Sequence, residues 1–222
     1  MAHNYRIRSF ISRLPVPAEF CLVLLIAFGF DYAYQLWTIS RGDPILISNR
    51  LILSSLGLDL VKLGIILWIG RIRGWSVSTF GWRISWLGTA AGLGLFIVTV
   101  AVKILAGLAV ASIPSIKPAE VAFELTLPVI ILVALINPFY EELFEVGYFI
   151  HVLQRFGPWP AILASGLFRG LLHAYQGVGG MAAMFAMGLL YGIVYWRWRQ
   201  LWPLVVAHIL DDFLGLLYVV HH

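Results

Sequence analysis

Long apolar runs, broken by short polar, glycine- or proline-bearing turns, are the dominant pattern along this chain. A helix needs about 20 apolar residues to cross a hydrocarbon core of ~30 Å. Seven runs are candidates: residues 18–39, 51–69, 86–110, 127–153, 159–175, 179–196 and 201–220. Between them lie 41–44, 70–81, 114–118, 157–158, 177–180 and 197–203, which carry turn or interface signals. Trp37, Trp68, Trp75, Trp82, Trp86, Trp159, Trp196, Trp198 and Trp202 gather at these boundaries, as tryptophans do at membrane–water interfaces. The pattern predicts an all-α, polytopic membrane bundle of about seven transmembrane helices, forming a single domain over residues 1–222. It shows no internal repeat.

Charge sets an orientation. With the N-terminus inside, inner segments hold Arg6, Arg8, Arg13, Arg71, Arg73, Arg83, Arg155, Arg197 and Arg199. Outer segments hold only Arg41, Arg50 and Lys117, the asymmetry expected of an N-in, C-out protein. The third connection is the least defined, because residues 120–124 fit either a surface helix or an extension of the fourth span. Residues 1–14 are too polar and long a lead for a cleaved signal, so residues 18–39 are expected to be a retained span.

Composition agrees. Hydrophobic residues make up 61% of the 222 and charged ones 12%, where a soluble domain carries about a quarter. Mean hydropathy is +0.90. The net charge of +4 comes from loop arginines, with no basic patch interleaved with aromatics, so nucleic acid is not an expected partner. The single cysteine, Cys21, excludes an intrachain disulfide framework and a cysteine metal cage.

Against this background the stretch from Asn137 to Gly147 stands out, with Glu141, Glu142 and Glu145 inside an oily run. An ionised carboxylate in hydrocarbon costs several kcal/mol unless it is paired, protonated or facing water. Asp31, Asp59, Lys62 and Lys103, in the first three spans, suit structural roles: Asp59 and Lys62 are three apart and can pair, and Lys103 can snorkel. The later spans carry Arg169 and His173, then His208, Asp211 and Asp212. Spacings of four put Arg169 with His173, and His208 with Asp212, on common helix faces. A purely structural ion-pair network explains so many polar groups poorly, because such contacts between membrane helices gain only ~0.6–2 kcal/mol each. A wet, reactive cavity explains them better.

Such a cavity has several chemistries open to it. A glutamate beside a histidine can activate water, and a second histidine with a polar neighbour can stabilise an oxyanion. Two histidines and a glutamate could instead hold zinc, although the chain has no HExxH to favour it. It has no GxSxG either.

At these residues the chain resembles the CPBP family of intramembrane proteases (CAAX proteases and bacteriocin-processing enzymes, also called Abi). That family shows EExxxR, FxxxH and HxxxN or HxxxD motifs, each on a membrane helix. Glu141 and Glu142 resemble the first, Arg169 to His173 the second, and His208 to Asp212 the third, so that the likeness covers about residues 127–217. The resemblance implies that Glu141 and His173 activate water, that His208 and Asp212 form the oxyanion side, and that Glu142 orients the site. It implies catalysis that depends on glutamate and needs no cofactor. Two positions depart from the pattern: Val146 stands where the first motif has arginine, and Arg169 where the second has phenylalanine. The expectation is that the guanidinium has moved to the next helix, where Arg169 holds Glu142 or Glu145. Asp212 can donate to an oxyanion only as the protonated acid.

The function implied is an intramembrane endopeptidase acting near the bilayer on a peptide or protein, with prenylated C-termini and leader peptides as candidate substrates and membrane lipid as a partner. A bacterial cytoplasmic membrane is the expected location. Two other readings share these residues: a catalytically lapsed relative that binds a membrane partner, and a proton-coupled carrier using the Glu/His set as a relay.

Overall fold

The computed structural model describes residues 2–42, 44–113 and 120–221. In chain order the helices are α1 (Ala2–Ser12), α2 (Val16–Arg41), α3 (Asn49–Arg73), α4 (Trp86–Ala109), α5 (Leu127–Glu141), α6 (Phe149–Leu153), α7 (Pro158–Leu172), α8 (Gly177–Trp198) and α9 (Trp202–His221). A π-helical segment, Glu142–Tyr148, joins α5 to α6 without a break. The break expected at 114–118, with Lys117, lies outside the described residues, as does Asp43.

Local chemistry sets several of these boundaries. The Ser48 hydroxyl accepts from the Leu51 amide and caps α3, and Ser85 does the same for Gly88 at the start of α4. Gly81 has φ +71°, and a Cβ there would meet the Arg199 carbonyl oxygen at 1.8 Å. Only glycine lets the loop before α4 reach the α8–α9 turn, where the Leu201 amide donates to the Gly81 carbonyl at 3.3 Å.

Among the described residues, six helical runs are long and apolar enough to cross a membrane: Val16–Thr38, Asn49–Arg73, Trp86–Ala109, Leu127–Phe156, Ala174–Trp198 and Trp202–His221. The fifth expected span is different. It forms α7, 15 residues and about 22 Å long, short of the ~30 Å core. Large apolar side chains face outward, among them Leu25 at 68% and Ile97 at 69% exposure, which suits a lipid surround.

α7 lies along α8, α4 packs on α8 and α9, and α5 rests on α9 and α3. Gly188 of α8 permits the first of these contacts, since a Cβ there would come within 2.7 Å of the Gly166 Cα of α7. The main core gathers Ile66, Phe80, Phe144, Val146, Tyr148, Tyr191 and Leu204. Polar ties lock α2 onto it: the Tyr140 hydroxyl donates to the Ala27 carbonyl at 2.9 Å, and Arg73 Nε meets Glu19 Oε2 at 2.5 Å.

Residues 120–124 are neither a surface helix nor an extension of the fourth span. Val121–Glu124 forms a strand, β2, paired in parallel with β1, Ile45–Ser48. Both strands are rich in β-branched or aromatic residues, and each supplies the other's backbone partners, which outweighs helix propensity at this site. The described protein is otherwise helical.

Candidate active site

Helix α5 carries Pro138, which lacks an N–H for the ladder and crowds the preceding turn. Immediately afterwards the winding widens into the π segment, a departure that often marks functional sites. The wider winding is anchored from α7, where the Ser165 hydroxyl donates to the Glu145 carbonyl at 2.5 Å. Glu141 ends α5, while Glu142 and Glu145 lie within the π segment.

The three acids have separate surroundings. Glu142 and Glu145 are 0% and 1% exposed and share one cation, Arg169, itself 1% exposed. Arg169 Nη2 lies 2.6 Å from Glu142 Oε1, and Nε lies 2.8 Å from Glu145 Oε2. The second contact lacks hydrogen-bond alignment, so it is an ion pair only. The Tyr191 ring stands 5.6 Å from the guanidinium carbon. Val146 is fully buried in the apolar core, so the arginine of the first motif is absent from the α5–α6 run and a guanidinium from α7 stands against the acids instead.

Glu141 faces elsewhere. Asn137 Nδ2 donates to its Oε1 at 2.6 Å, and His208 Nε2 is 3.7 Å from its Oε2. His208, on α9, also places Nδ1 2.7 Å from Glu142 Oε1 and Nε2 3.3 Å from Asp212 Oδ1. A carboxylate only accepts, so Nδ1 carries a hydrogen; Nε2 can donate as well only when the ring holds both protons. His208 thereby links all three acids nearest it: Glu141, Glu142 and Asp212.

His173 stands one turn beyond Arg169, at the C-terminal cap of α7. α7 ends at Leu172, and His173 caps it with φ −106°, its amide bonded to the Gly170 carbonyl at 3.1 Å. The Gln176 side-chain amide sits 3.3 Å from His173 Nδ1, which makes Nδ1 the acceptor and leaves the hydrogen on Nε2. His173 and Glu141 line one cavity of about 590 Å³, together with Asn137, Tyr140, Glu145 and Tyr175. His208 and Asp212 stand behind Glu141 rather than on the cavity wall.

A short α7 also explains the depth of the site. Over a full span of residues 159–175, His173 would lie near one face and His208, early in α9, near the other. A helix that stops after about 22 Å leaves its capping residue inside the hydrocarbon thickness. His208 is the seventh residue of α9 and reaches a similar interior level.

The remaining intramembrane charges are paired. Lys62 Nζ lies 2.6 Å from Asp31 and 3.0 Å from Asp59, so the Asp59–Lys62 pair gains a third member. Lys103 does not snorkel; it meets Asp211 of α9 at 2.5 Å. Among the described residues, no group of three or more His, Cys, Asp or Glu side chains could hold a metal ion. Asn137 and Gln176, which touch Glu141 and His173, were not singled out from sequence. Asn137 had a signal, being the one amide in the oily run just before the glutamates.

Comparison with known proteins supports the motifs. Residues 123–214 match the family described as "Rce1-like: Type II CAAX prenyl endopeptidase Rce1-like". No curated protein and no solved structure matches the chain. The match begins at β2 and ends within α9, and so covers all of Glu141, Glu142, Glu145, Arg169, His173, His208 and Asp212. That description names a protease family, and the six membrane-length helices among the described residues make this an integral, multi-pass membrane protein. Over residues 123–214 the chain is thus similar to the Rce1-like family, consistent with the CPBP (Abi) family that its three motifs resemble.

Proposed function

We propose that the protein is an intramembrane endopeptidase that hydrolyses a peptide bond of a CAAX-type, prenylated substrate, with its N-terminus on the cytoplasmic side of a bacterial membrane. The observation that carries this is the shared cavity, which the Glu141 carboxylate and the His173 ring both line, with the buried Glu142 and Glu145 beside it paired to Arg169 and His208.

In the proposed reaction, a water accepts from His173 Nε2–H and donates to Glu141. Glu141 takes a water proton as the oxygen adds to the scissile carbonyl carbon. The resulting oxyanion is stabilised by His173 Nε2–H on the cavity wall, while His208, 3.7 Å from Glu141 and held by Asp212 at 3.3 Å, supports the base from behind. Collapse breaks the C–N bond, and Glu141 returns the proton to the leaving amine. The products are a carboxylic acid and an amine, which leave as carboxylate and ammonium after the acid's proton passes to the amine, and the enzyme ends as it began. Glu142 and Glu145, bound to Arg169, position the π segment that presents Glu141. Asn137 orients the Glu141 carboxylate.

The test uses purified protein in lipid nanodiscs and a fluorogenic, prenylated CAAX peptide. Glu141→Gln is expected to lower kcat by about 10²–10⁴, the contribution of a general base, while the unfolding midpoint stays near that of the parent. Cleavage that persists in Glu141→Gln at the parent rate overturns the proposal.

A further inference from the structure

A helical bundle has no evident need of a sheet, yet β1 and β2 form one beside the candidate site. Two strands of four residues each fall short of what supports itself; three or more strands, or a packed helix, are the usual requirement. The amide and carbonyl of each strand residue point to one side, and the side alternates along the chain. The Ile45 amide donates to the Glu120 carbonyl at 2.7 Å, so Ile45 and Ile47 spend their backbone groups on β2. Leu46 turns its N–H and carbonyl to the open side, where no described residue bonds them. A strand edge with unpaired backbone groups is a ready template for another chain.

The location of that strand matters. Ile45 and Ile47 line the same 590 Å³ cavity as Glu141 and His173, whereas no residue of β2 does. β1 is thus the strand nearest the candidate chemistry, and β2 is set away from it beside α9.

We propose that the open edge of β1 receives the substrate peptide as an added strand and feeds it to Glu141. This inference rests on the endopeptidase reading above. A strand joined to β1 continues its pleat, so every second side chain enters the cavity beside Ile45 and Ile47 and the others lie on the Leu46 side. Extended backbone is also what hydrolysis requires, because a helical carbonyl is bonded to an amide four residues on and is shielded from attack. α3 descends from Asn49, next to β1, to Asp59 in the cavity wall near Tyr140 and Glu141. Ten residues of helix cover about 15 Å, which extended chain covers in about five residues. The bond cut is therefore displaced by about five residues from the paired segment.

The experiment measures binding of a fluorescent, prenylated CAAX peptide with an eight-residue extension, by anisotropy, to the full chain in nanodiscs. One backbone amide at a time is N-methylated. The expected profile weakens binding about three- to tenfold at alternate residues of one short stretch, with little effect between them. Leu46→Pro removes an N–H that the β1–β2 ladder does not use. It should weaken the unmodified peptide by a similar factor and flatten the alternation. A uniform profile, an alternation that Leu46→Pro leaves intact, or no saturable binding overturns the proposal. If Leu46→Pro does not fold, the N-methyl scan on the parent protein decides alone. Product formation is read in the same samples. Alternating binding without product keeps the strand and removes the peptidase reading; product with a flat profile keeps the peptidase and removes the strand.

Discussion

Arg169→Leu removes one side chain and strands two buried acids. The guanidinium is 1% exposed and lies 2.6 Å from Glu142 and 2.8 Å from Glu145, which are themselves essentially inaccessible. Deleting one partner of a buried ion pair costs about 3–5 kcal/mol, because the remaining charge is left without compensation. Glu142 retains His208 Nδ1 at 2.7 Å, so the cost falls mainly on Glu145 and should not double. Against a typical folding stability of about 5–15 kcal/mol, this is roughly a fifth or more of the total. The unfolding midpoint should fall by on the order of 10 °C, followed through the intrinsic fluorescence of the nine tryptophans. Arg169→Lys should lose less, since its single ammonium keeps the charge but does not span both oxygens. Adding Glu145→Gln to Arg169→Leu removes the stranded charge and should recover most of the loss. A double-mutant cycle isolates that coupling. The reasoning is refuted if Arg169→Leu unfolds at the parent temperature, or if the double variant is no more stable than the single one.

Three further outcomes are expected. Asp212→Asn should keep its activity within about tenfold, since the amide oxygen can accept from His208 as Oδ1 does at 3.3 Å; a dead variant counts against Asp212 acting only by holding His208. Gly188→Ala should cost about 1–3 kcal/mol in thermal unfolding, because its Cβ falls 2.7 Å from the Gly166 backbone and α7 must shift away from α8. An unchanged midpoint would contradict that close helix contact. Peptide cleavage should survive a strong metal chelator, and loss of activity restored by added zinc would replace the glutamate–water scheme with a metal one.

Much of the bundle was legible because hydrocarbon enforces a simple rule: apolar runs of spanning length become helices. The bounds of α4 were read within one residue at each end. The exception, α7, is instructive. Residues 159–175 look like a span by hydropathy, but Pro158 sets the start and the cap at His173 ends the helix early. Hydropathy cannot register that polar neighbours on α9 and the π segment shelter a helix end inside the membrane. The strands were missed for a related reason. Ile45–Ser48 and Val121–Glu124 are too short to signal alone, and each becomes a strand only through a partner about 76 positions away. In the candidate site, the spacing of four joined His208 to Asp212 on α9 and set His173 one turn beyond Arg169, although it did not show that His173 would be the cap where α7 stops. The Asp59–Lys62 pair was visible, whereas the addition of Asp31 and the Lys103–Asp211 contact required tertiary structure.

The displaced guanidinium gives these contacts a common consequence. Had the cation stood at position 146, the acids of the π segment would be balanced within their own helical run, and α7 would be free to sit anywhere its apolar faces allowed. Val146 instead fills the core, and the balancing charge comes from Arg169, four residues before His173. The ion pair that makes Glu142 and Glu145 tolerable in the membrane therefore also fixes the end of α7, and with it the level at which His173 meets the Glu141 cavity. Ser165 reinforces this one turn earlier by holding the Glu145 carbonyl. Charge compensation and the placement of the histidine are one mechanical connection in this protein. A guanidinium on α7 accordingly performs two tasks that a guanidinium at position 146 would leave separate.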